Sequence, residues 1–379
     1  MNLSHRARRW IAACIGLLVA TLLGLGAVEA KRSSDRRIGV GVEQGAGGIA
    51  VTGVAAGLPA ARAGLRQRDL LLAIDGVPTL RLTDYDRIAA RFARGRPVAY
   101  EVRRGADIRS LEIVPGTGFP WFDTAVNGLG AIAFLGLALL ALFQARGDLR
   151  ARLLFLLSVA VAFELALPQS VIGDPRLALA TLFAFYLLTG VQIGFELHLA
   201  SVIPRPQAWL ERCRWVVPLY YGVGTVIAVT MIASLLAELV GARGFPWTSD
   251  EAQSVLFESG LVVWAAATVL LLAVPAVGHP EPAGRHQAAL VLAGVLPWAL
   301  YLIVSTGLAW MGRPLPLWSE QLQPLLLLCY PVAVFVAIFR YQLFDIELVV
   351  RRSLVYTALT GLLLGLFYLA IWVGGALSA

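Results

Sequence analysis

Residues 288–311 read AALVLAGVLPWALYLIVSTGLAWM, a run without one charged side chain. An α-helix rises about 1.5 Å per residue, so about 20 apolar residues cross the hydrocarbon core of a bilayer. Comparable runs lie on either side, at residues 125–143, 153–172, 177–203, 215–240, 252–277, 322–339 and 353–375. Short polar loops carrying Arg or Pro separate the eight. In lipid every backbone N–H and C=O must find a partner within its own segment, so each run is expected to be a helix. The pattern predicts a polytopic α-helical membrane protein over residues 121–379.

Composition agrees. Of 379 residues, 58% are hydrophobic and 15% charged, against about 25% charged in a soluble domain. Arg6, Arg8 and Arg9 precede an apolar run at 11–28, with Val28-Glu29-Ala30 resembling a small-residue cleavage site. Residues 1–30 therefore read as a cleaved signal or a first transmembrane anchor; the length of the run favours the anchor. With the N-terminus inside, segments 1–9, 144–152, 204–214, 278–287 and 340–352 hold 13 Arg and Lys, while loops 168–176, 241–252 and 312–321 hold 3. That bias places residues 31–120 outside the cytoplasm, in a bacterial inner membrane. Together with the Arg-rich segment 31–120 it accounts for the net charge of +7, so no nucleic-acid partner is expected; the partners in view are lipid, a peptide or protein C-terminus and a second copy in a homodimer. Cys14, Cys213 and Cys329 form neither a disulfide framework nor a CxxC pair.

Residues 31–120 are polar and rich in Gly and Arg. Ile38-Gly39-Val40-Gly41-Val42 reads as a short strand, 49–54 as the next, and 59–63 as a helix stopped by Gly64. Residues 70–74 form a strand ending in an Asp75-Gly76 turn. Residues 83–92 form an amphipathic helix with Thr83 as N-cap, and 97–103 with 108–114 form a hairpin. The sequence GLPAARAGL at 57–65, followed by DLLLAIDG at 69–76, resembles a bacterial PDZ domain, with Arg68 where that family usually has Gly. The resemblance implies an α/β module inserted between the first span and the rest, binding an extended peptide or a protein C-terminus by strand addition. By position, Ile38, Gly39, Val40, Gly41 and Val42 would hold the carboxylate and Tyr85, Ile88 and Phe92 the groove wall. The alternative is that the apolar members of this set are core.

Ionisable residues at bilayer depth are costly. Glu164 sits within the run 153–172; Gln192 and Glu196 are four apart on the next, with His198 half a turn on. They predict either a polar cluster serving a ligand or proton, or satisfied interhelical hydrogen bonds with Glu196 and His198 near the headgroups. Neither HExxH, Gly-x-Ser-x-Gly nor GxxxxGK[ST] is present, so no catalytic constellation, cofactor or metal is expected.

Residues 339–360, FRYQLFDIELVVRRSLVYTALT, resemble the RYxLFDIDxVIxRTLVYxxLT segment of multi-pass bacterial sensors, including histidine kinases of the peptide-pheromone quorum-sensing type. Residues 198–206 resemble the HFxLxFPxP helix end of the same proteins. The resemblance implies a sensory input module with Asp345, Glu347, Arg351 and Arg352 in a relay loop; an ordinary basic loop is the alternative. Nine spans would end the chain outside, so this reading expects a further span and a cytoplasmic output beyond residue 379, or an output supplied by a partner. Two other functions fit: an adaptor or regulator of envelope proteolysis recruiting clients through the PDZ-like domain, and a permease using Glu164.

Overall fold

The computed structural model describes residues 4–45, 48–144, 148–168, 171, 174–240, 250–311, 313, 315 and 322–341. The proposed relay loop with Asp345, Glu347, Arg351 and Arg352, and the run 353–375, lie outside them. The chain divides into two compact units. One comprises Leu23–Thr124 with Pro168–Leu182; the other takes Met1–Leu22, Ala125–Leu167 and the chain from Phe183.

Helix α1 (His5–Arg36) is continuous, so Val28-Glu29-Ala30 is helical and Glu29 is buried. After it come β1 (Val40–Gly45), β2 (Gly48–Val54), α2 (Pro59–Arg62), β3 (Leu70–Ile74), β4 (Val77–Pro78), α3 (Leu82–Ala89), β5 (Val98–Arg104) and β6 (Asp107–Ile113). All pairings are antiparallel, in the order β1-β2-β3-β5-β6 with β4 paired to β3. Alternate side chains point to one face of a strand. Thus Val98, Tyr100 and Val102 of β5 turn inward while Ala99, Glu101 and Arg103 face out. They meet Ile49, Val51, Leu71, Ile74 and Ile113 in a single apolar core. Asp75 and Gly76, both at positive φ, join β3 to β4 as the two-residue turn expected. Helix α3 starts at Leu82 and stops at Ala89, so Thr83 lies inside it and not at its cap; the Asp84 carboxylate accepts from the Arg81 N–H at its start.

The ends of this module are laced together. The N–H groups of Gly116 and Thr117 donate to the carbonyls of Arg37 and Ser34 at 3.1 and 2.8 Å. The chain leaving the sheet is thereby tied to the end of α1.

The membrane bundle contains α4 (Trp121–Gln144), α5 (Leu149–Ala166), α6 (Pro175–Val202), the short α7 (Ala208–Arg212), α8 (Val216–Val240), α9 (Asp250–Gly278), α10 (Pro282–Trp310), α11 (Leu322–Leu327) and α12 (Cys329–Tyr341). Seven helical stretches among the described residues are long and apolar enough to cross a bilayer. The protein is a mostly helical membrane protein with a small antiparallel α/β module. Helix α5 is not among the seven: it carries Arg150, Arg152 and Glu164 within 18 residues, and it ends two residues before Pro168. The run 322–339 is broken at Leu328. Pro331 lacks an N–H and its ring crowds the carbonyl four residues back, at Leu327, which separates α11 from α12. Helices α6 and α8 cross at Gly190 and Gly224, where a Cβ on either residue would run into the backbone of the other.

Candidate peptide groove and intramembrane polar residues

Strand β1 is an edge of the sheet, paired only to β2. An edge strand offers unpaired backbone groups to any extended chain. The opposite edge, β6, carries exposed Asp107, Arg109 and Glu112, the charges that blunt an edge against strand addition. On β1 the side chains at 40–42 are Val, Gly and Val. Helix α3 packs beside β1, so a chain added to the open edge would be expected to run alongside α3.

The residues predicted for this site divide into two groups. Val40, Val42, Tyr85 and Ile88 are partly buried and pack onto the core from the β1–α3 side. The side chains of Ile38 and Phe92 are 3% and 7% exposed and belong to the core, which leaves Ile38 only its backbone to offer a ligand. Phe92 lies beyond α3 and its ring sits 6.3 Å from that of Tyr100. Burial raises the Tyr100 pKa, with Tyr85 and Asp75 beside it adding to the effect.

Gly39 and Gly41 do different work. At φ +79, Gly39 lets its own carbonyl accept from Ala55 while that of Ile38 accepts from Ala60, both at 2.9 Å. With both carbonyls turned inward, the Ile38 and Gly39 N–H groups have no intramolecular acceptor among the described residues. They are donors suited to a terminal carboxylate. A Cβ on Gly39 would fall 2.5 Å from that of Leu58, so a side chain there breaks the loop's packing as well as its surface. Gly41 faces Thr52 across a bulge in the β1–β2 ladder.

In the bundle, Gln192 and Glu196 line the same cavity, about 20 Å³ in volume, and Glu196 also borders a second of about 10 Å³. Glu164 of α5 has a buried Oε2 without a hydrogen-bond partner among the described residues. His198 is turned elsewhere: its Nδ1 is 3.0 Å from the Tyr221 hydroxyl of α8. Tyr330 borders both cavities and Thr268 the smaller one. Sequence reading missed them because each sits inside an apolar run with nothing local to mark which side faces Glu196.

Residues 50–104 match the family model described as PDZ domain. That module is a PDZ domain. The chain is also similar to the Magnetosome formation protease MamE of Paramagnetospirillum magneticum, at 34% identity over 96 residues, 25% of this chain and 13% of that protein. The MamE of Magnetospirillum gryphiswaldense is 37% identical over 98 residues, 26% of this chain and 12% of that protein. The match thus spans about an eighth of the length of these relatives. PDZ domains generally bind peptide or protein C-termini, which points to peptide or protein binding.

Proposed function

We propose that this chain is a membrane-anchored adaptor that recruits client proteins by their C-termini to proteolysis in the cell envelope. The observation carrying the reading is the open β1 edge beside α3, with apolar Val40, Val42 and Ile88 flanking it and free N–H donors at its start. The matched relatives are proteases, which favours a role connected with proteolysis. The Arg and Lys bias of the short loops supports an orientation with the PDZ domain outside the cytoplasm and α1 as an uncleaved anchor.

Cells carrying Ile88→Lys test this. A charge on the groove wall blocks an apolar peptide terminus, so half-lives of recruited envelope proteins lengthen relative to wild type. Unchanged half-lives, with the variant at normal abundance, count against recruitment.

A sensory input role is the second reading, favoured by the hydrogen bonds that lace Ser34 and Arg37 to Thr117 and Gly116. They tie the two ends of the PDZ module to each other where the chain enters and leaves it.

A further inference from the structure

Glu164 and Glu196 carry carboxyl oxygens into the interior of the bundle, and no Lys or Arg is among the described residues lining the cavities at Glu196. Burying a carboxylate without a counter-charge costs several kcal/mol. Gln192 is 6% exposed, and its Oε1 is buried without a partner on the wall of the larger cavity. Thr268 is 0% exposed, and its Oγ1 is equally unpartnered on the wall of the smaller. Tyr330 borders both cavities. What these residues lack in common is a positive charge seen by oxygen.

We propose that Gln192, Glu196 and Tyr330 form an intramembrane site for one sodium-sized monovalent cation, with Thr268 bordering it. The donors are all hard oxygens, which suit alkali and alkaline-earth ions and not softer transition metals. Among the described residues no three His, Cys, Asp or Glu side chains converge as a transition-metal site would require. A cavity of about 20 Å³ admits one water-sized species. That excludes a divalent ion holding several waters, as magnesium does. The ionisable groups around Glu196 are Glu164 on α5, Tyr330 on α12 and, on its own helix, His198, which is held by Tyr221.

The test uses the full chain in detergent or nanodiscs. Its thermal midpoint is titrated with NaCl at constant ionic strength against N-methylglucamine chloride, and retention of radioactive sodium is measured in parallel. The proposal expects a saturable, sodium-specific rise of a few degrees. Glu196→Gln abolishes it, Gln192→Leu weakens the apparent affinity about tenfold, and Glu211→Gln on α7 leaves it intact. Equal stabilisation by both salts, or a sodium response that survives in Glu196→Gln, overturns the site. So does a response to acid alone with no retained sodium, which would mean that protons neutralise the carboxyls.

Discussion

Arg104 grips Asp69 with two parallel hydrogen bonds: its Nε and Nη2 donate to the two carboxylate oxygens at 2.7 Å each. The same Nη2 donates to the Gly64 carbonyl at 2.8 Å, and the Arg66 N–H donates to Asp69 at 2.9 Å. The pair joins the end of β5 to the turn before β3, so the sheet closes around it. Asp69 is 1% exposed and Arg104 21%. Removing Asp69 leaves that turn without its acceptor. Asp69→Ala is expected to destabilise the module by about 2–3 kcal/mol, less than a fully buried pair because Arg104 keeps contact with water. Faster cleavage within residues 37–116 of the full-length protein by a nonspecific protease would register the loss.

The same pair sets a pH dependence. Burial alone would raise the Asp69 pKa, but the Arg104 hydrogen bond, the Arg66 N–H and the two positive charges outweigh it and hold the carboxyl below its ordinary value. A carboxyl whose folded pKa is depressed adds stability above its unfolded pKa, about 3.9, and loses it as pH falls through the folded value. Protease resistance of the module is therefore expected to be flat from neutral pH to about pH 5 and to fall below pH 4. The fall should be shallower in Asp69→Asn.

Arg68, beside this pair, adopts φ +71, a conformation that costs a residue with a Cβ about 1–2 kcal/mol relative to glycine. Its N–H donates to the Val51 carbonyl at 2.8 Å, so the turn is held in place by β2 whatever its side chain. Arg68→Gly keeps that bond and relieves the strain. The variant should gain roughly 0.5–1 kcal/mol after the extra chain entropy of glycine is counted, read as slower proteolysis of the module.

The crossing of α6 and α8 makes a prediction for the bundle. Gly224→Val drives a side chain into the Gly190 backbone and should lower the thermal midpoint of the detergent-solubilised protein sharply. Gly222, two residues away, has nothing within 4 Å of its Cβ position. Gly222→Ala should leave the midpoint unchanged within a degree or so.

Orientation is tested with single cysteines in a background lacking the three native ones. Leu80 is 68% exposed on the PDZ module, and Ala208 begins α7 in a basic loop. A membrane-impermeant maleimide added to intact cells should label Leu80→Cys and spare Ala208→Cys. The reverse pattern would remove the PDZ domain from the envelope side.

Hydropathy made the architecture readable because lipid and water demand opposite surfaces, and runs near 288–311 or 215–240 have no other use. The strands of the PDZ module were readable for a similar reason: alternation at Val98, Tyr100 and Val102 and the Asp75-Gly76 turn are local signals. The break at Leu328 was hidden, because Pro331 sits in a run whose apolarity says nothing of backbone continuity. Partnership was hidden too. The Ile38 side chain is core while Val40 is only partly buried, a difference the strand pattern could not give, since a β-period marks a buried face without saying what covers it. Tyr330 gave no sign of meeting Glu196, because helix–helix contacts among apolar runs have no spacing of their own.

Strand addition at the β1 edge is measured most directly by titrating the full-length protein in nanodiscs with fluorescent peptides ending in an apolar residue, each made with a free carboxylate and as the C-terminal amide. The Ile38 and Gly39 donors predict saturable binding of the free acids and at least about tenfold weaker binding of the amides. Equal affinity for the two forms, or no binding by either across a broad set of apolar termini, would contradict recognition of C-termini in this groove.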